Sequence, residues 1–256
     1  MNGFQKIKQP LTWFPFVIFS FISILWITWQ LLSTVNFSYP FWYRVLDVGA
    51  HIEKYAPQNR NKDNFQLTTE QERFDLFAQV VDSINNDGEG LAEISYHDPS
   101  GKVIDTLYWH DEIGHLRDVA GLVTKFDYAA YFSLLVVGLY LLRIFAVIGE
   151  WPIKPKWAQA NLFAAGVLVV TAAAVFIIGP KAVFYWLHEV AFPSGAPWFF
   201  YYQDSLMSTA MKAPDLFGGI AAQWFGLTLL VYIVWIYSVG YLAKQKIKSS
   251  GKIIHN

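Results

Sequence analysis

The chain has 256 residues, of which 54% are hydrophobic and only 15% are charged, a composition typical of a membrane protein. Its 19 basic and 20 acidic residues nearly cancel, and they form no basic stripe of the kind that binds RNA or DNA. The absence of cysteine excludes thiolate nucleophiles, disulfide relays, quinone-linked thiol oxidases and cysteine-type zinc sites.

The first element is an apolar segment at residues 11–35, which a short polar tail precedes. A run of about 20 apolar residues spans a bilayer, whereas the apolar core of a signal peptide has only about 7–15 residues. We therefore predict an anchor helix here. The first region of the chain, residues 1–35, then consists of the polar N-terminal tail and this membrane helix.

A polar, acidic block follows at residues 36–125. Within it, residues 41–57 have the apolar spacing of a helix. Thr69 and Glu72 fit the capping box that opens a second helix, and the turn-forming residues NNDGEG end that helix.

A β-hairpin is predicted next, because residues 91–109 alternate apolar and polar positions on either side of a turn at 98–101. A further helix begins near Asp111 and continues toward the next apolar segment. The block is therefore predicted to be a small α+β cap. It is too short to be a typical independent domain, but it can be stabilised by packing against the helices it connects.

Three more apolar segments lie at residues 128–148, 158–179 and 216–242. Segment 158–179 is rich in Ala, Val and Gly, the small residues that let membrane helices pack closely. The predicted fold class is an all-α bundle of four transmembrane helices with a small α+β extracytoplasmic cap. The chain then divides into three regions after this prediction. Residues 1–35 hold the first membrane helix, residues 36–125 form the cap, and residues 126–256 hold the other three helices and a basic tail.

The placement of Lys and Arg predicts the orientation, because short cytoplasmic loops and tails carry an excess of these residues. With four membrane helices, the basic residues near the ends of the segments fall on one side: Lys6, Lys8, Arg143, Lys154, Lys156, Lys244, Lys246, Lys248 and Lys252. Both termini are then cytoplasmic, and the cap lies outside the cytoplasmic membrane.

The segment at residues 181–214 is the main candidate site, and the predicted orientation also places it outside. It contains His188 among aromatic residues, where a titratable group needs a polar partner or a neutral state. The alternative is an interfacial histidine that reaches toward the lipid headgroups. Two further candidates are Asp204, which could orient a histidine or cap a helix, and Trp198, which belongs to an aromatic belt suited to acyl chains.

The second candidate is His115, which lies three residues after Glu112 and three before Asp118. On a helix this spacing puts each carboxylate on a neighbouring face, and a carboxylate beside an imidazole raises its basicity. The alternative is an exposed polar helix in which Asp111 caps the N-terminus. Because the two histidines are predicted on one side of the membrane, we expect them to form one site.

The other histidines are interpreted as structural, with His51, His97 and His110 at loops or caps and His255 in the tail. His110 and His115 are five residues apart, about 140° on a helix, so they do not form the one-face pair of a zinc helix. Neither a metal nor another cofactor is predicted, and no phosphate-binding loop or serine-nucleophile motif is present.

Two motifs carry a resemblance to a known family. The sequence E-x-x-H-L-R-D-V at 112–119, and L-H-E-V-A-F followed by W, D-S-L and P at 187–214, resemble the signatures of the bacterial integral membrane family of lipoprotein intramolecular transacylases. The resemblance implies that His115 and His188 correspond to the two invariant histidines of that family. It also implies transfer of the sn-2 acyl chain of a diacylglyceryl lipoprotein to the amine of its N-terminal cysteine.

The chemistry of such a transfer suits a histidine pair, because an α-amine with a pKa near 7.7–8.0 needs a base with a pKa near that of histidine. One histidine takes the proton, and the other stabilises the oxyanion or protonates the leaving oxygen; the residues leave open which does which. The expected partners are a diacylglyceryl lipoprotein or phospholipid and the bilayer. The alternatives are a lipid hydrolase that uses the same pair and a membrane sensor or assembly subunit.

Overall fold

The computed structural model describes residues 3–146, 157–192 and 195–253. Four of its helices are long and apolar enough to cross a membrane, over Trp13–Ser33, His110–Phe145, Ala160–Ile178 and Asp215–Lys246. These four candidate spans correspond to the four apolar segments that the sequence predicts. Lys154, Lys156 and His255, which the sequence places in a basic loop and a tail, lie outside the described residues.

The membrane helices extend beyond their apolar segments. They are α1 (Gly3–Ser33), α5 (His110–Ala146), α6 (Trp157–Ala173) and α9 (Asp215–Ile253), and α6 passes into one turn of π-helix at Ala174–Ile178. Helix α9 continues past the last apolar segment to Ile253, so the basic tail predicted there is helical over most of its length. Ala243, Lys244, Gln245 and Lys246 are all good helix formers, which favours the extension.

One compact unit combines Met1–Thr28, Asp127–Ala173 and Trp224–Asn256. Its core is a cluster of buried apolar side chains from the four membrane helices: Trp13, Phe16, Val17, Phe21, Ile24, Val137, Ile144, Ala160, Ala164, Tyr232, Ile236, Val239 and Ala243. Polar bonds join the helices as well, because the hydroxyls of Thr28 and Thr228 lie 2.7 Å apart and Trp26 Nε1 donates to Asp127 Oδ1 at 2.6 Å. Hydrogen bonds between polar side chains of neighbouring helices are typical of helix packing in membranes.

The other unit combines Trp29–Phe126 and Ala174–Gln223. Its first helices are α2 (Tyr39–Val45) and α3 (Val48–Tyr55). The prediction of one helix over 41–57 is therefore wrong. The chain breaks at Asp47, whose φ of 52° is left-handed, a conformation that interrupts a right-handed helix and that Asp tolerates better than most residues.

The elements between α3 and α5 follow the predicted order. Helix α4 (Glu70–Asn85) is capped by Thr69, whose side chain accepts a hydrogen bond from the Glu72 amide. The two short strands, β1 (Ser95–His97) and β2 (Val103–Thr106), pair antiparallel and confirm the hairpin. The predicted capping box is wrong in its second bond, from the Thr69 amide to the Glu72 side chain. The Glu72 carboxylate instead binds the amide and the ring of His97.

Two short helices complete this unit, α7 (Pro180–Ala191) and α8 (Leu206–Ala210). Residues 212–223 lead from α8 into the start of α9, which packs closely on α2. A Cβ added to Gly219 would lie 2.8 Å from the ring of Trp42, whose Nε1 donates to Gln223 Oε1 at 2.8 Å. The absence of a side chain at Gly219 therefore allows the indole to lie against the helix backbone.

Candidate active site

His188 lies on the half-buried face of α7, and one of its ring nitrogens has a defined partner. Nδ1 lies 2.7 Å from the carbonyl oxygen of Phe184, four residues earlier in the helix. Because a carbonyl only accepts, the ring carries its hydrogen on Nδ1, and Nε2 of the neutral ring keeps a free lone pair. Burial lowers the pKa of His188 below the usual value, and the bond to Phe184 opposes this effect. The neutral form with a basic Nε2 is therefore favoured.

His115 lies in the second turn of α5 and is only 7% exposed. Its Nδ1 is buried and has no hydrogen-bond partner among the described residues. A buried N–H group without an acceptor is rarer and costlier than a bare lone pair, so the tautomer with its hydrogen on Nε2 is favoured. Since no carboxylate binds this ring, burial also disfavours the imidazolium form.

The two imidazoles lie close together, with 6.0 Å between their ring centroids and 26° between their planes. Aromatic rings surround them. Phe192 lies 4.8 Å from His115 and 5.3 Å from His188, and Trp198 lies 5.0 Å from His188. One substrate group can therefore contact both imidazoles within an apolar wall, although the catalytic role of the pair stays a prediction.

Glu112 has a different place from the one that the sequence suggested. Its side chain is 1% exposed and binds three donors: Oε2 accepts from the Trp109 amide at 2.7 Å, and Oε1 accepts from the Ser205 hydroxyl at 2.7 Å and the Met207 amide at 2.8 Å. It makes no hydrogen bond to His115, so the prediction that this carboxylate contacts the imidazole is wrong. Glu112 instead joins the first turn of α5 to the start of α8.

The hydroxyls of α8 hold the aromatic stretch that precedes it. Ser205 accepts from the Ser208 amide at 2.9 Å, Ser208 Oγ donates to the Phe200 carbonyl at 3.1 Å, and Thr209 Oγ1 donates to the Tyr202 carbonyl at 3.0 Å. The ring of Phe200 lies 6.0 Å from that of His115. Glu112 and α8 therefore connect the helix of His115 with the backbone that carries Phe200.

The other two predicted carboxylates do not reach the histidines. Asp204 Oδ1 binds Arg60 Nη1 at 3.0 Å, and the Asp204 carbonyl accepts from Asn61 Nδ2 at 2.9 Å. Asp204 therefore anchors the loop after α3, which supplies both Arg60 and Asn61. No hydrogen bond or ion pair joins Asp118 to His115 in the part of the chain that the structure describes.

The remaining described histidines are in structural settings. His51 lies inside α3, with Tyr55 and Tyr202 at 4.6 and 4.5 Å, whereas the sequence predicted a loop or cap. His97 binds Glu72 at 2.8 Å, and His110 binds Asp111 at 3.0 Å. Among the described residues, no group of three or more His, Asp or Glu could hold a metal ion.

Sequence reasoning missed two contacts of the candidate site, one of His188 and one of Glu112. The Phe184 carbonyl could have been found from its position four residues before His188, because that spacing brings the two into contact on a helix. Ser205 could not have been assigned to Glu112, since 93 residues separate them and nothing local connects them.

The fold defines an integral membrane protein, and comparisons identify its family. The family model of the lipoprotein intramolecular transacylase Lit matches residues 14–209. A solved structure of the membrane-integral lipoprotein intramolecular transacylase Lit from Bacillus cereus, a histidine-to-arginine variant, has a similar fold. It is 15% identical, with a TM-score of 0.59 over 96% of each chain. A search among curated proteins found no match.

Because the family model covers most of the chain, the protein belongs to the lipoprotein intramolecular transacylase Lit family. It is therefore an acyltransferase and a bacterial membrane protein. The expectation of a lipoprotein substrate is consistent with this assignment. The interpretation as a sensor or assembly subunit is not supported.

Proposed function

We propose that the enzyme moves the sn-2 acyl chain of a diacylglyceryl lipoprotein to the α-amine of its N-terminal cysteine, with His188 as the base and His115 as the oxyanion donor. The observation that carries this proposal is the 6.0 Å separation of the two imidazoles, one of which has its Nδ1 hydrogen bound to a carbonyl. A general base must lie within hydrogen-bond reach of its proton, and this separation allows one ester to touch both rings.

The reaction begins with attack of the neutral amine nitrogen on the ester carbonyl carbon. A new N–C bond forms, and the carbonyl oxygen becomes an oxyanion in the tetrahedral intermediate. Nε2 of His188 then takes a proton from the attacking nitrogen, because its lone pair is free. The resulting imidazolium gives this proton to the glyceryl oxygen as the C–O bond breaks. The products are an N-acyl amide and a lyso glyceryl group, and no other reactant is consumed.

His115 stabilises the oxyanion in this scheme. Its unpartnered Nδ1 favours the tautomer with a hydrogen on Nε2, and a neutral imidazole can donate that hydrogen to a developing oxyanion. The donor works best where water is excluded, and the ring is 7% exposed and packed against Phe192. The different partners of the two Nδ1 atoms therefore support different roles for the two histidines.

Intramolecular transfer explains why a small set of groups suffices. Amine and ester belong to one substrate molecule, and good orientation of such a pair can lower the activation free energy by about 7–11 kcal/mol relative to a bimolecular reaction. The enzyme then has to hold the two groups in register, move one proton and stabilise one charge. The apolar wall around the pair also disfavours water as a competing nucleophile.

Trp198 belongs to this wall and is proposed to contact the acyl chain. Its ring lies against both His188 and Tyr185, at 5.0 and 5.3 Å. Phe199 and Tyr201 continue the aromatic surface beside it. Aromatic side chains at a membrane interface present apolar faces to lipid, so a diacylglyceryl group or a phospholipid suits this surface.

The orientation in the membrane is part of the proposal. Both termini lie in the cytoplasm, and the cap at 36–125 lies outside the bacterial cytoplasmic membrane together with 181–214. Residues 1–35 comprise the N-terminal tail and the first membrane helix, and 126–256 supply the other three helices. The excess of Lys and Arg at the opposite ends of the helices supports this arrangement.

The test is a single-turnover assay with a synthetic diacylglyceryl-cysteine lipopeptide that carries different acyl chains at sn-1 and sn-2. Mass spectrometry of the product from the wild-type enzyme should show the sn-2 chain on the amine. His188→Ala and His115→Ala should each lower the rate by about 10²–10⁴. The matched control is His97→Ala, since His97 binds Glu72 away from the pair.

Two results would contradict the proposal. Transfer of the sn-1 chain would show that the wrong ester had been assigned. Release of free fatty acid with no N-acylated product would instead support the lipid hydrolase that uses the same histidines.

A further inference from the structure

Helix α7 begins where a membrane helix ends. The apolar segment Ala160–Ile178 is long enough to cross a bilayer, and only Gly179 separates it from Pro180, the first residue of α7. The last turn of that segment is open to its surroundings, with Phe176 90% exposed. Since one residue extends the chain by at most about 3.6 Å, α7 starts at the membrane surface.

The outward face of α7 is apolar. Trp186 is 59% exposed and Val190 is 67% exposed, and Leu187 and Ala182 are exposed beside them. At about 100° per residue, Trp186 and Val190 lie about 160° from His188 around the helix axis. The helix therefore presents one side to the imidazole pair and the opposite side to the surroundings.

The charged residues of α7 border this apolar surface. Lys181 and Glu189 are both exposed, and at about 100° per residue they lie outside the arc that runs from Trp186 to Leu187. With 12 residues the helix is about 18 Å long, too short to span a bilayer. A short helix with one apolar and one polar side is typical of helices that lie in the membrane interface.

We propose that the lipid face of α7, formed by Trp186, Leu187 and Val190, is inserted into the boundary between the headgroups and the acyl chains of the bilayer. Its continuity with the Ala160–Ile178 membrane segment identifies lipid as the occupant. Interfacial helices bury their apolar side about 5–10 Å into this boundary.

This placement has a consequence for the substrate, which rests on the proposed function. The glyceryl esters of a diacylglyceryl group lie at the same boundary, between headgroup and acyl chain. A helix that is fixed there by its lipid face holds His188, on its other side, near the depth of the ester. The enzyme then selects esters of membrane-embedded lipids over those of dispersed molecules.

The depth of α7 can be measured directly, because the chain contains no cysteine. Single cysteines at Trp186 and Val190 are spin-labelled in nanodiscs of phosphatidylglycerol and phosphatidylethanolamine. Their collision rates with oxygen and with a water-soluble nickel complex are then compared. Val103 is the control, because it is exposed on the hairpin of the cap, which is proposed to lie outside the membrane.

The expected result is strong oxygen access and weak nickel access at 186 and 190, and the reverse at Val103. Nickel access at 186 and 190 equal to that at Val103 would overturn the proposal, because the face would then contact water. Shielding from both reagents would also overturn it, because the face would then be covered by protein. Neither outcome depends on catalysis, so this measurement can fail while the histidine proposal stands.

A second measurement tests the link to the substrate. Val190→Glu should slow transfer in nanodiscs by about 10–100-fold, because a small misplacement of reacting groups has effects of this size. Val190→Leu is the matched control and should keep the wild-type rate. Both variants should have similar rates in detergent micelles, where no bilayer sets the depth. An equal loss in both media would contradict the role of depth.

Discussion

The imidazole of His188 donates its Nδ1 hydrogen to the carbonyl oxygen of Phe184, at 2.7 Å within one turn of α7. A carbonyl oxygen has two lone pairs, so the Phe184 oxygen can accept the ring hydrogen in addition to a backbone N–H of α7. It also orients the ring, with Nε2 as the only site that can take a proton. The tautomer therefore follows from the position of the histidine in the helix.

The pKa of His188 is expected below 6.5, because burial of the ring lowers it more than the bond to Phe184 raises it. The neutral base is then present above this lowered pKa and is lost as the pH falls through it. A histidine NMR titration measures the midpoint, and the chain has only six histidines. Trp198→Ala should move the midpoint up, since it exposes the ring to water.

Trp109→Ala is the control for that titration, because the Trp109 ring contacts His110 at 4.9 Å and its loss should leave the midpoint of His188 unchanged. A midpoint of His188 well above 6.5 in the wild-type protein would mean that the ring is charged at neutral pH. It would then be unable to act as the base in the proposed reaction.

Glu112→Gln should destabilise the second unit. The carboxylate accepts three hydrogen bonds, and an amide would direct a donor toward at least one of the N–H or O–H groups that now bind an oxygen. Leaving a buried group unsatisfied costs about 1–3 kcal/mol in the free energy of unfolding. Thermal unfolding in detergent measures the change, and Asp118→Asn is the control. Equal unfolding temperatures for the two variants would contradict the structural role of Glu112.

Gly219→Ala should also destabilise the protein, because the new methyl group would lie 2.8 Å from the Trp42 ring. Overpacking of this kind costs about 1–3 kcal/mol. Gly218→Ala is a closely matched control, since nothing lies within 4 Å of a Cβ at that position. In a helix, Ala is better than Gly by about 0.5–1 kcal/mol, so the control should be neutral or slightly stabilising. Similar unfolding temperatures for both variants would refute the close approach of Trp42.

The orientation in the membrane can be tested with a single cysteine at Asp87, in the turn after α4. A membrane-impermeant maleimide added to intact cells should label this position if the 36–125 cap lies outside. A cysteine at Lys244 should be labelled only after the cells are broken, because the C-terminal part of α9 is proposed to be cytoplasmic. The opposite pattern would contradict the orientation.

Much of the fold could be predicted because the signals are local. Apolar runs long enough to cross a bilayer identified the four membrane helices, and the side chain of Thr69 and the turn around Asp98 identified a helix start and a hairpin. The break at Asp47 was missed, because its left-handed conformation interrupts a sequence whose apolar spacing suits one continuous helix.

The candidate site was less predictable because its polar contacts are long-range. Spacing along α5 suggested that Glu112 would serve His115, but Ser205 and Met207 provide donors from more than 90 residues away. Asp204 likewise binds Arg60, which lies 144 residues earlier in the chain. A carboxylate binds the nearest well-placed donors, and the sequence alone does not show where the fold brings them.

His188 and His115 are proposed to act on one ester as a unit, and a double-mutant cycle on lipopeptide transacylation measures the coupling between them. Each single alanine variant should lose about 10²–10⁴ in rate, and the double variant should be little worse than either, because residues that act together lose activity non-additively. If the double variant lost the product of the two single effects, or if either single variant kept near-normal production of the N-acylated lyso product, the claim would be contradicted.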